Sequence, residues 1–386
     1  MKPGDLLDIA VRNEAHTLVI GRPGAGKTSL VRIALAQNRK PALVFDYVGN
    51  YRGFVDYYGV YPVNPLEFVK PQDFIDALAK VILVAYGYAN AMSPAMEEVL
   101  LTAFEESAIS SGEGEEGPEY SIPHALQWLF TEGPGYFRNA DELAALRGAR
   151  RRLNELANNI LFARRTHPVL GDWLDGKLNA QLGIRLRGFS LKQVLLYVTT
   201  LLTIMARREV EAGDWRFVVV DEAQYFAGVE GISPLEEAVR IARNYGFLFI
   251  AITQNARAIP ERMMDVFKVI VDFRRSSTPR KALVEVYVTD PELARLARVS
   301  RADEEPVLRD FVDVDVRSLN ALKRRGVDWF ECLSRANLED SIKRRYIYYK
   351  ARVAGKWVDR IRDLSDYPEL WDCMSNYQRQ VMAGNG

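Results

Sequence analysis

The stretch Gly21-Arg22-Pro23-Gly24-Ala25-Gly26-Lys27-Thr28 constrains this 386-residue chain more than any other. An apolar run, Thr17 to Ile20, precedes it, and a helix-like segment, Ser29 to Ala36, follows. Strand, glycine loop and helix in that order make a P-loop. Its glycines let consecutive N–H groups converge on phosphate oxygens, and the helix N-terminus adds partial positive charge. Gly21 through Thr28, with Ser29 behind them, therefore read as a nucleotide cradle. Lys27 is placed to reach the β- and γ-phosphates and to assist catalysis, and the Thr28 hydroxyl to hold Mg²⁺. The expected cofactors are ATP and Mg²⁺.

The motif needs a sheet to stand on, and the chain supplies one. Strand-like runs recur at Thr17–Ile20, Ala42–Tyr47, Gly183–Phe189, Phe217–Val220, Phe247–Thr253, Val269–Phe273 and Val284–Val288. Helical patterns lie between most of them, at Pro71–Tyr88, Leu191–Arg208 and Pro234–Asn244. That alternation predicts an α/β fold with a mainly parallel sheet. The rhythm breaks after Asn90. Residues 90–145 carry eleven acids and one arginine, whereas residues 147–192 carry ten Lys or Arg and three acids. We read residues 1–89 and 183–300 as the two parts of an ATPase core, 90–182 as a mostly helical insertion, and 301–386 as a helical C-terminal tail.

Formal net charge is zero, so any argument for nucleic acid must be local. The apolar run from Val194 to Ala206 is shorter than the roughly twenty residues that span a bilayer, and no signal-peptide core opens the chain. With only Cys332 and Cys373, far apart, the expectation is a reduced, cytoplasmic compartment and no membrane partner.

Phe217-Val218-Val219-Val220-Asp221-Glu222 is an apolar strand ending in two acids, the Walker B pattern. Asp221 is expected to hold Mg²⁺, and Glu222 to activate the attacking water. The strand Phe247 to Thr253 ends at Gln254, placed to contact the γ-phosphate or its water. The helix before it, Glu237 to Asn244, carries Arg240 and Arg243 ahead of Tyr245-Gly246.

These residues resemble the HerA–FtsK superfamily of DNA-translocating ATPases. The resemblance rests on the Arg/Tyr-Gly/Thr-Gln block with Ile259-Pro260 after it, on Asp46-Tyr47-Val48-Gly49-Asn50-Tyr51, and on the strand from Gly183 to Ser190 ahead of Walker B. In motif order it spans about residues 15 to 290. Asn50 stands where the family usually has Glu, and Asn255-Ala256 follows Thr-Gln in place of Arg-Pro or Ser-Pro. No HerA-type N-terminal barrel or FtsK-type winged helix is recognisable. The family implies a RecA-like core, a homo-oligomeric ring (generally a hexamer), double-stranded DNA as partner, and a nuclease, capsid or transfer protein beside it. It also implies an arginine acting on the neighbouring subunit's ATP, for which Arg243, Arg240 and Arg274 are the candidates. For DNA phosphates the candidates are Arg150, Arg151 and Arg152 in the basic stretch, and Arg257 and Arg262 in the loop after Gln254. Two other readings stand beside the motor: a STAND-like regulatory ATPase switch, and a phage-type morphogenesis ATPase acting on protein.

Overall fold

The computed structural model describes residues 1–86, 91–111, 113–114, 117–118, 120–157, 161–205, 215–226, 234–255, 257, 259, 261–287, 306–323, 327–328, 348–353 and 356–361. The chain divides into two compact units. The first comprises Met1–Gly59, Asn179–Gly188 and Met205–Val327; the second comprises Val60–Leu178, Phe189–Ile204 and Asp328–Gly386.

The first unit is built on a sheet whose strands include β1 (His16–Ile20), β2 (Ala42–Asp46), β3 (Tyr57–Gly59), β4 (Gln181–Arg185), β5 (Arg216–Val220), β6 (Phe247–Thr253), β7 (Phe267–Asp272), β8 (Lys281–Val286) and β9 (Leu308–Asp313). In space they run β9-β8-β7-β1-β6-β5-β2-β4-β3. Every pair from β7 to β3 is parallel, and β8 and β9 are added antiparallel. This is a RecA-like, mainly parallel α/β fold, as the alternation of strands and helices predicts.

The strands read as continuous apolar runs because both of their faces are covered. All five residues of β1, β2 and β5 are buried, and all seven of β6. Alternate residues from one face (Val19, Val44, Val219, Ile250, Val271) join Leu6, Leu7 and Ala10 of α1 (Asp5–Arg12) and Leu30, Val31 and Leu35 of α2 (Lys27–Asn38) in one buried cluster. Register fixes what meets at the strand ends. Ile20 pairs with Thr253 and Asp272, and Val220 with Ala251 and Phe45. The residues just beyond β1, β5 and β6 therefore emerge side by side.

The second unit is helical over most of its described length. Helices Pro94–Ser111, Ile122–Thr131 and Ala140–Ala157 pack on one another. Ser121 caps the second of them, its hydroxyl accepting from the His124 N–H at 3.3 Å.

The C-terminal tail departs from expectation. Among its described residues, Leu308–Asp313 is a strand, Ser318–Asn320 is one short 3₁₀ turn, and Tyr348–Val353 pairs antiparallel with Lys356–Ile361. The clusters Lys323-Arg324-Arg325 and Lys343-Arg344-Arg345 suggested a solvated helix. The neighbouring aromatic and β-branched residues, Phe311-Val312, Tyr348-Tyr349 and Trp357-Val358, favour a pleated surface instead. Most of residues 324–386 lie outside the described set.

Candidate active site

The P-loop leaves β1 at Ile20 and closes on α2, whose first residue is Lys27. Gly26, just before the helix, has φ 109°, a left-handed value that a side chain would strain. At Gly21 the constraint is space, since an added Cβ would stand 2.8 Å from Cβ of Phe273. The loop is tied to β6 at its root, the Gly21 N–H donating to the Thr253 carbonyl at 3.3 Å. Arg22, Pro23 and Gly24 are exposed, Ala25, Gly26, Thr28 and Ser29 half-buried, and Lys27 buried. The Lys27 ammonium donates to the carbonyl oxygens of Gly21 (2.8 Å) and Arg22 (3.0 Å). Burial lowers the pKa of this lysine, while Glu222 and Asp221 pull it back up.

Across the loop stands the end of β5. Asp221 is only 1% exposed and accepts from the Thr28 hydroxyl at 3.4 Å and from the Glu222 N–H at 3.0 Å. Burial, then Glu222, then Asp46 push its pKa up to about 7. A buried carboxylate crowded by two others is a place where a cation lowers the energy. The donors beside it, a threonine hydroxyl and a carboxylate, are the hard oxygens that Mg²⁺ accepts. Thr28 and Asp221 therefore fit the metal assigned to them. Asp46, at the end of β2, is itself satisfied by the N–H groups of Gly49 (2.7 Å), Asn50 (3.0 Å) and Tyr51 (2.9 Å) and by the Tyr58 hydroxyl (3.0 Å). Its role is to fold the loop after β2. Asn50 contributes there through its backbone.

Glu222 turns away from the strand in a left-handed conformation, φ 58° and ψ 45°. A non-glycine residue pays for that geometry and holds it only where its surroundings impose it. Here two glutamines do so. Gln254, at the tip of β6, donates to Oε1 of Glu222 at 2.6 Å, and Gln224 donates to Oε2. Gln224 is oriented in turn by the Thr253 hydroxyl, which donates to its Oε1 at 2.9 Å. Gln254 is where its motif predicts; Gln224 and Thr253 are additions that the motifs do not predict. Their only signal was adjacency to Asp-Glu and to Gln254, and the bond joining them spans 29 positions.

The arginines separate. Arg243 is exposed and follows the helix Pro234–Ala242 at the start of β6, the end opposite Gln254. Seven residues of strand place it about 20 Å from its own P-loop. Arg240 is bonded to Glu236 one turn earlier at 3.1 Å. Arg274 forks onto Asp272 at 2.9 and 2.7 Å, which occupies the guanidinium within its own subunit. In the second unit, the helix Ala140–Ala157 fans out the three basic residues. Arg150 donates twice to the Leu129 carbonyl, Arg152 is buried, and Arg151 alone is exposed. The three side chains thus face different ways and form no single stripe, as helix geometry dictates. Arg257 is exposed in the loop after Gln254, and the side chain of Arg262 lies outside the described residues.

No protein-family model matches the sequence, and neither does any curated protein. Among solved structures, the plasmid coupling protein TrwB bound to the non-hydrolysable ATP analogue ADPNP matches with a TM-score of 0.56 at 14% identity, over 79% of this chain and 86% of that one. The chain has the TrwB fold. TrwB bound to the GTP analogue GDPNP gives 0.52 at 15% identity, over 80% and 87% of the two chains. VirB4 of Thermoanaerobacter pseudethanolicus gives 0.50 at 12% identity, over 80% and 91%. Among the described residues, no helix is long and apolar enough to cross a membrane.

Proposed function

We propose that this chain is a Mg²⁺-dependent ATPase of the HerA–FtsK superfamily, working as a ring, a hexamer, that moves double-stranded DNA. The observation that carries the reading is the convergence at the ends of β1, β5 and β6: Lys27 and Thr28 face Asp221, and Glu222 is held by Gln254. Mg²⁺, when bound, neutralises phosphate charge at Thr28 and Asp221. Lys27 exchanges its loop carbonyls for phosphate oxygens, Glu222 takes the proton of the attacking water, and Gln254 couples that carboxylate to the loop carrying Arg257. The distance of Arg243 from its own P-loop supports a role on a neighbour's ATP, hence an oligomer. The fold shared with TrwB, a plasmid coupling protein, supports DNA as the polymer moved.

The test is ATPase activity with and without linear duplex DNA, measured beside the oligomeric state. Stimulation by duplex at about 50 mM salt, fading as salt rises, is expected. Arg243→Ala should lower turnover about a thousandfold with ATP affinity nearly unchanged. Mixing it with Lys27→Ala subunits should restore part of the rate. Full activity from a monomer removes the ring. Turnover that duplex DNA neither binds nor stimulates moves the regulatory switch ahead of the motor.

A further inference from the structure

Three arginines follow Phe273 before β8 begins: Arg274, Arg275 and Arg280. The first two are spent inside the subunit. Arg274 is forked on Asp272, and Arg275 donates to Glu285, a buried carboxylate that Arg309 and the Tyr287 hydroxyl also serve. Arg280 is exposed and has no side-chain partner among the described residues. Its backbone is left-handed, φ 61°, and is held there by the Val314 N–H, which donates to its carbonyl at 2.9 Å. Asn and Gly adopt such geometry readily, and a long cationic side chain does so only at a cost. That backbone sets the direction in which the side chain leaves it. A Cβ built on Gly26 would find Cε1 of Phe273 at 3.4 Å, Cβ of Val314 at 3.7 Å and Cγ of Arg280 at 3.8 Å. The Arg280 stem therefore lies against the glycine that precedes Lys27.

We infer that Arg280 binds the nucleotide's phosphates from within its own subunit. An unpaired guanidinium presents a planar fork of N–H donors that suits phosphate oxygens. Its place in the sheet selects which phosphates. The turn between β7 and β8 flanks β1 on the side away from β5, whereas Glu222 and the hydrolysed bond are on the β5 side. Arg280 thus belongs to the α- and β-phosphates, which ATP and ADP share, and its contact is as strong before hydrolysis as after. This rests on the nucleotide site proposed above, and it differs from the role of Arg243 in both step and subunit.

The test measures ATP and ADP binding with fluorescent analogues, in Arg280→Gly and Arg280→Asn. Both replacements tolerate the left-handed backbone, so melting temperatures should match or exceed that of the parent. Dissociation constants for ATP and ADP should each rise about tenfold. The ratio kcat/KM should fall by the same factor, through KM. Arg280→Lys should recover part of the affinity, and mixing with Lys27→Ala subunits should recover none. Unchanged ADP affinity in both variants, while Lys27→Ala has lost binding, overturns the inference and leaves the P-loop reading intact. Recovery on mixing overturns the same-subunit assignment. A parent protein that binds neither nucleotide overturns the P-loop reading itself.

Discussion

At its C-terminal end β1 runs into the P-loop, beside a carboxylate whose pKa stands near 7, a lysine lowered by burial, and a glutamate in a left-handed turn. At its N-terminal end the same strand begins with His16, fully buried between the edges of Phe249 (5.7 Å) and Phe267 (6.4 Å). His16 Nδ1 accepts from the Phe249 N–H at 3.0 Å, and burial drives its pKa down to about 4, with Arg243 pushing the same way. One end keeps buried charge in close quarters, and the other excludes it. In open α/β sheets ligands bind beyond the carboxyl ends of strands. Here the contrast shows what that placement costs and where the cost is offset.

The two ends also answer pH in opposite senses. Asp221 has a folded pKa above its ordinary value, so its contribution to stability is whole below about pH 4 and is lost as pH rises towards 7. His16 has a folded pKa below its ordinary value, so its contribution is whole above about pH 6.5 and is lost as pH falls towards 4. Nucleotide with Mg²⁺ should flatten the first dependence and leave the second as it is.

Four substitutions sharpen the contrast. The largest effect is expected for Glu222→Gln, which should keep ATP bound and slow its cleavage about a thousandfold or more. Single-turnover hydrolysis with a filter-binding control checks this, and cleavage at the parent rate would remove Glu222 as the base. Next, Phe249→Ala opens the aromatic clasp and should lower stability by about 3–4 kcal/mol, with turnover per folded molecule unaffected. Denaturant melts read alongside ATPase rates decide it. Asp221→Asn should have the reverse profile: turnover lost, and the nucleotide-free protein stabilised at pH 8 by roughly 2–3 kcal/mol, because a crowded charge is gone. A melting temperature that falls would mean that Thr28 and the Glu222 N–H need the carboxylate more than its neighbours repel it. The smallest effect is Gln224→Leu, about tenfold in kcat with KM nearly fixed. Steady-state kinetics read beside a thermal melt decide it, since loss of packing alone would lower the melting temperature without lowering kcat per folded molecule.

Much of this site could be read directly from the chain, for a physical reason. P-loop, Walker B and Thr-Gln motifs each hang on a strand buried on both faces, and such strands announce themselves as apolar runs ending in abrupt polarity. Gln224 could not be read, because its meaning lies in a bond to Thr253 on another strand. Arg280 could not either, since nothing in Thr278-Pro279-Arg280 tells that the backbone turns left-handed against Gly26. In the tail, charge density hides the strands Leu308–Asp313, Tyr348–Val353 and Lys356–Ile361, whose aromatic and β-branched residues are the better signal. That Arg150, Arg151 and Arg152 face different ways follows from helix geometry alone, but the Leu129 carbonyl that holds Arg150 lies 21 positions away and carries no sequence signal.

The order of strands carries a consequence for how the protein is made. β1 is synthesised well before its two sheet neighbours, β6 and β7, so Thr17 waits for Ile250 and Val269. β2 is no help to it, since its partners are β4 and β5. At ribosomal rates of roughly 5–20 residues per second, the glycine loop spends about 12–50 s without the strands that shape it. Nucleotide can therefore act on a shaped glycine loop only after the strand ending at Asp272 has been translated. Until then the nascent apolar strands have water, one another or a chaperone as neighbours.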